Sequence, residues 1–158
     1  MTNSNQSLNN QLENPRNKRF AIWFLVIGFI GFVDAVYLTT NHFLGIELNC
    51  GILKGCEQVT TSVYASVWGI PVALLGLIYY LFIILSSILY LDIKKELVLR
   101  FISRVTILGL IASLWFLFAQ IFLIHALCTY CLISLITSSI LFIIGVLFLK
   151  DNRAEKLR

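Results

Sequence analysis

Cys128-Thr129-Tyr130-Cys131 places two thiols three residues apart. On one helical turn such a pair has its Cβ atoms about 5–6 Å apart, close to the geometry that a disulfide needs. A helix N-terminus also stabilises a thiolate, the form of cysteine that acts as nucleophile. A second pair, Cys50 and Cys56, is spaced too widely for one helix face. Its glycine-containing spacer can form a loop that opens and closes as a disulfide breaks and forms. Thiols held near one another exchange disulfides, and a bilayer beside them supplies lipid-soluble electron carriers. A rigid pair and a mobile pair together make a two-stage relay. Two other readings stay open on the residues alone. The four cysteines could close two inert structural disulfides in an oxidising compartment. They could also offer four thiolates to a metal, although the wider pair exceeds the usual spacing of such ligands, and no metal is expected.

The elements that carry these thiols must be membrane helices. The chain of 158 residues is 59% hydrophobic and 13% charged, where a soluble domain has about 25% charged residues. The net charge of +4 forms no basic patch, because the basic residues flank hydrophobic runs; this argues for membrane topology and against nucleic acid. Residues 1–19 read as a polar, disordered segment, 20–149 as one membrane domain and 150–158 as a short tail. The polar leader and the long first apolar run do not read as a cleaved secretory signal.

Crossing a hydrocarbon core of about 30 Å takes roughly 20 residues. Residues 20–40 and 67–91 satisfy this, and residues 105–149 contain no Asp, Glu, Lys or Arg. As one helix that last stretch would run to about 67 Å at 1.5 Å per residue, so the chain must reverse within it. The polar break from His125 to Cys131 is the place, giving a third helix near 105–127 and a fourth near 131–149. The expected fold is an all-α membrane protein, a four-transmembrane-helix bundle. An even number of crossings puts Arg16, Lys18, Arg19, Lys94, Lys95, Arg100, Arg104, Lys150, Arg153, Lys156 and Arg158 on one side, and Lys54 alone on the other. The positive side is the cytoplasmic one, so both termini are expected there and all four cysteines outside. The outer loop, 41–66, is punctuated by Gly45, Gly51 and Gly55. Its part 57–66 reads as a short surface helix lying over the bundle, and Pro71 suits the first turn of helix two.

Phe116, Gln120 and Ile124 recur every four residues and share one face of helix three. Gln120 is polar in an apolar span and is expected to face the bundle interior, chiefly in an interhelical hydrogen bond. Asp34 is the carboxylate well inside a predicted helix; a structural hydrogen bond is the favoured role, with proton delivery as the other. His125 needs no role beyond an interfacial one. Trp23, Trp115 and most Phe residues read as lipid-facing or packing groups.

The chain resembles the vitamin K epoxide reductase family in its bacterial form. The resemblance rests on Val36-Tyr37-Leu38-Thr39, Cys50 with Cys56, Ser62, Trp68-Gly69-Ile70-Pro71 through Gly76, and Gln120 through Cys128-Thr129-Tyr130-Cys131-Leu132. The order of the pairs separates it from the DsbB-type quinone oxidases, which place the C-x-x-C pair first. The resemblance implies that Cys128 and Cys131 are the active-site pair beside a quinone (ubiquinone, menaquinone or a relative), with Cys131 the thiol that reacts with it. Cys50 and Cys56 would be the shuttle pair, Cys50 exchanging with an external dithiol and Cys56 passing electrons on through a transient disulfide with Cys128. Ser62 matches a position near the quinone ring; its other reading is a local helix cap. Val59 and Tyr64, on the same segment, could cap that pocket or pack on the surface, and Phe116, Gln120 and Ile124 are its expected helix-three contacts.

Some family members carry a Tyr four residues after the last cysteine, where this chain has Leu135. An ordinary respiratory quinone is therefore expected over vitamin K quinone or its epoxide, the alternative substrate. Many bacterial relatives also carry a fused thioredoxin-like domain. Without one, the partner is expected to be a separate DsbA-like or thioredoxin-fold protein, in a bacterial cell membrane, with disulfide bond formation as the outcome. From a different class, a non-catalytic membrane subunit with two structural disulfides remains the rival.

Overall fold

The computed structural model describes residues 15–45, 58–59, 62, 65–67 and 69–156. Helix α1 spans Pro15–Leu44. A short hairpin follows, β1 at Ser66–Val67 and β2 at Ile70–Pro71, leading into α2 at Val72–Ile93. Helix α3 runs Glu96–Phe118 and continues as a widened π-helical turn, Ala119–Ile124; α4 covers Thr129–Lys156. All four helices are long and apolar enough to cross a membrane. Phe29, Leu108, Ile111 and Ile136 stand more than half exposed around the outside, which is tolerable only against lipid.

The helices outrun the apolar stretches. Helix α1 begins at Pro15, so residues 15–19 are helical, not disordered; proline is well suited to a first helical turn because its missing N–H is unneeded there. Helix α3 begins nine residues before 105, and α4 carries the tail on to Lys156. The reason is that a helix satisfies its own backbone and need not stop at the hydrocarbon boundary, while side-chain pairs hold the polar ends together. Arg16 Nη1 lies 3.0 Å from Asp151 Oδ1. Asn17, 4% exposed, donates to Glu96 Oε1 at 3.2 Å. Only Lys94 and Lys95 separate α2 from α3. Lys94 adopts the left-handed conformation, φ 56°, and its N–H closes on the Tyr90 carbonyl at 2.7 Å. These contacts bring the start of α1, the end of α4 and the α2–α3 turn to one end of the bundle.

At the opposite end the reading needs two corrections. Helix two starts at Val72, not within the Trp-Gly-Ile-Pro run. Pro71 is extended, φ −60° and ψ 133°, and pairs with Ser66 across the hairpin. Gly69 takes φ 79°, the left-handed conformation that so tight a reversal requires. Segment 57–66 is not one surface helix either: Gln58 and Val59 are helical, Ser62 lies in a bend and Ser66 in a strand.

Inside, α1 packs on α2 and α4, and α3 on α4 and α2, which closes the ring. The main core gathers Phe24, Tyr80, Ile83, Leu99, Ile102, Leu141 and Phe148. Membrane helices gain little from expelling lipid, so close approach of small residues and internal hydrogen bonds must hold them. Tyr80 does both. Its ring fills the space left by Gly31, where a Cβ would come within 2.3 Å. Its hydroxyl donates to the Ser134 carbonyl at 3.0 Å and lies 2.8 Å from Thr137 Oγ1 and 3.1 Å from Ser138 Oγ.

Candidate active site

The turn between α3 and α4 falls where the polar break predicts it, and Gln120 organises it. The π-helical turn ends at His125, which adopts φ 54°. The N–H groups of His125 and Ala126 both point to the Gln120 carbonyl, the latter at 3.1 Å. The Gln120 side chain, 1% exposed, accepts the Cys128 N–H through Oε1 at 2.9 Å. Gln120 faces the interior as expected, but its hydrogen bond runs to the turn backbone at the first cysteine and not to a neighbouring helix. Widened turns of this kind recur at functional sites because they re-aim the residues that follow.

Cys128 sits immediately before α4, and its carbonyl accepts the first helical bond, from Leu132 N–H at 3.1 Å. The pair thus straddles a helix N-terminus, with Cys131 one turn in. Both are thiols in the structure; Cys128 is wholly buried and Cys131 half-buried. The Cys128 thiol is held below the usual cysteine range, at about 7. The chief cause is the hydrogen bond from the Cys131 side chain; the backbone N–H groups of Cys131 and Tyr130 reinforce it, while burial and the carboxyl group of Asp34 oppose it. A thiol poised in this way is both a competent nucleophile and a good leaving group.

Around Cys128 pack Val59 and Ala126, with Phe116, Ile124 and Tyr130 half-buried beside them. Val59, 1% exposed, packs against the thiol. Ser62 donates to the Val59 carbonyl at 2.8 Å, a local turn bond. Cys50, Cys56 and Tyr64 lie outside the described residues.

Beside the pair a cavity of about 490 Å³ opens between the helices. Cys131 lines it; so do Asp34, Leu38 and His42 of α1, Pro71 of β2, Val72, Gly76 and Tyr79 of α2, Gly109, Ala112 and Phe116 of α3, and Ser134 and Ser138 of α4. Its size falls in the range of small-molecule sites, about 300–1,000 Å³. Among the expected pocket residues, Val59 and Phe116 line this cavity. Gln120, Ile124 and Ser62 do not: the first two pack behind Cys128, and Ser62 bonds the Val59 carbonyl. Trp115, expected to face lipid or to pack, is 62% exposed and also reaches the cavity's rim. Asp34 had a visible signal, a carboxylate in an apolar span; Tyr79 had none, being one tyrosine of an adjacent pair.

The cavity suits a largely apolar small molecule set beside the Cys131 thiol. A comparison with curated proteins returns no match. The family model of the vitamin K epoxide reductase family matches residues 22–146, a stretch that covers most of α1 and α4, all of α2 and α3, the outer loop and both cysteine pairs. This integral membrane oxidoreductase belongs to the vitamin K epoxide reductase family.

Proposed function

We propose that the chain is a thiol–quinone oxidoreductase that re-oxidises an extracytoplasmic thioredoxin-fold dithiol and reduces a membrane quinone to quinol. The observation that carries this reading is the division of labour within one cysteine pair. Cys131 opens on the cavity, while Cys128 is buried beneath Val59 with its thiol held at about 7. In the forward direction, the partner's dithiol reduces the Cys50–Cys56 disulfide. Cys56 then attacks Cys128 in the Cys128–Cys131 disulfide and frees Cys131. Cys50 attacks Cys56, closes the outer disulfide again and expels Cys128, whose low thiol pKa makes it a ready leaving group. The resulting dithiol gives two electrons and two protons to the quinone. Each 30 mV of potential gap drives this two-electron exchange by about 1.4 kcal/mol. The distribution of basic residues supports a cytoplasmic location for both termini and an outer location for the thiols.

The test is quinone reduction by the purified protein with a reduced thioredoxin-fold donor. Wild type is expected to turn over, and Cys131→Ala to be inactive with every donor. Cys50→Ala is expected to fail with the protein donor yet work with a small dithiol. Absence of quinone reduction by any form, with thiols that ignore mild reductant, would return the cysteines to a structural role.

A further inference from the structure

Two polar groups of the cavity take no part in the exchange steps above. Asp34 on α1 and Tyr79 on α2 line it together with Cys131. Asp34 is 8% exposed. Its Oδ2 and the Tyr79 hydroxyl are buried and meet no hydrogen-bond partner among the described residues. Buried polar atoms are nearly always satisfied, and one left open beside a cavity points to a group that enters it. A carboxyl group inside a membrane span carries the same implication.

Their depth in the bundle matches that of the reactive thiol. The Tyr37 ring lies 4.8 Å from that of Tyr130, so α1 meets the start of α4 at the level of the cysteine pair. Asp34 is one turn below Tyr37, about 4.5 Å along the axis. Tyr79 precedes Tyr80, whose hydroxyl touches Ser134, one turn into α4 from Cys131. The Tyr79 ring is held from the far side by Gly109 of α3, where a Cβ would come within 2.3 Å of both ring and hydroxyl.

We propose that Asp34 and Tyr79 are the oxygen-recognising pair of this cavity: Tyr79 donates a hydrogen bond to one carbonyl oxygen of a quinone ring, and Asp34 bonds the other and hands it a proton. The inference rests on the quinone-reductase reading and assigns the groups that make it work. As the S–S bond of Cys128 and Cys131 forms, their electron pair passes to the ring. One proton comes from the Cys131 S–H and one from the Asp34 carboxyl. Asp34 then recovers from the outer water the proton that Cys128 released on ionising, so dithiol plus quinone become disulfide plus quinol.

The full chain in lipid nanodiscs, with ubiquinone-1 as the probe, tests this in three ways: binding by tryptophan quenching, turnover with dithiothreitol, and infrared difference spectra of the carboxyl region. Tyr79→Phe is expected to weaken ubiquinone-1 binding about three- to tenfold, the loss of one net hydrogen bond. Asp34→Asn is expected to bind within about threefold of wild type but to turn over about a hundredfold more slowly, the size of a general-acid contribution. In wild type, ubiquinone-1 shifts a carboxyl C=O band that Asp34→Asn abolishes and Tyr79→Phe retains. That band is read on the unaltered protein first, so a misfolded variant does not decide the matter; its absence there overturns the assignment. Variants that bind and reduce like wild type overturn the pair while leaving thiol–quinone exchange intact. A wild type that neither binds nor reduces ubiquinone-1 overturns both.

Discussion

Cys128 has its thiol held at about 7 chiefly by the hydrogen bond from the Cys131 side chain, with the backbone N–H groups of Cys131 and Tyr130 in support. Its position before α4 exposes the sulfur to the helix N-terminus, and Gln120 fixes that position by accepting the Cys128 N–H at 2.9 Å. An amide side chain eight residues upstream thus substitutes for the partner that the turn itself cannot supply. Gln120→Leu keeps the bulk but strands a buried N–H. The expected cost is about 1–3 kcal/mol of stability, read as a lowered midpoint of thermal unfolding in detergent, with slower turnover on a small dithiol. An unchanged midpoint would mean that the N–H finds another partner and that Gln120 is not the organiser of the turn. Polarity in an apolar span marked Gln120 from the sequence, but only the fold shows that its partner is the cysteine backbone and that the residue stands behind the thiol, away from the cavity.

At the scale of the elements, the bundle depends on close passages between helices. Gly31 lets α1 lie against the Tyr80 ring of α2, and that ring's hydroxyl reaches three oxygen-bearing residues of α4. One tyrosine therefore links three helices just below the cysteine pair. Gly31→Ala would set a methyl group 2.3 Å from the ring, and neither backbone nor aromatic ring can yield that distance locally. A loss of about 1–3 kcal/mol, typical of overpacking, is expected in detergent unfolding, with weakened quinone reduction because the cavity shares Tyr80 and its neighbours. Full stability in this variant would refute the three-helix link. The hairpin shows a different limit of legibility. Trp-Gly-Ile-Pro reads equally as a helix start or as a turn, and the choice fell to Gly69, whose φ of 79° reverses the chain and pairs Ser66 with Pro71.

For the whole molecule, the polar ends of all four helices are sorted by charge. Arg16 with Asp151, and Asn17 with Glu96, tie the start of α1 and the end of α4 to the α2–α3 turn, and the Cys128–Cys131 pair lies at the far end. Reporter fusions check which end faces the cytoplasm. A fluorescent protein fused after Arg158 is expected to fluoresce, while a periplasmic phosphatase at the same position is expected to stay inactive. The opposite pattern would invert the bundle and place the thiols in a reducing compartment, where partner re-oxidation would have no use.

Four membrane crossings, the reversal near Cys128, the charge bias and the pairing of a C-x-x-C with a looser pair were all determined by the sequence. Each rests on composition or on spacing within a few residues, and such information is local. The cavity was decided by the tertiary structure, because its walls come from all four helices and meet only after packing. The same is true of Val59 over Cys128, of Gln120 turned toward the cysteine backbone, and of Asp34 and Tyr79 left open beside Cys131. A helical face repeats every 3.6 residues whether it meets lipid, a neighbour or a ligand, and in an all-apolar span hydrophobicity does not tell these apart; contact between distant segments does.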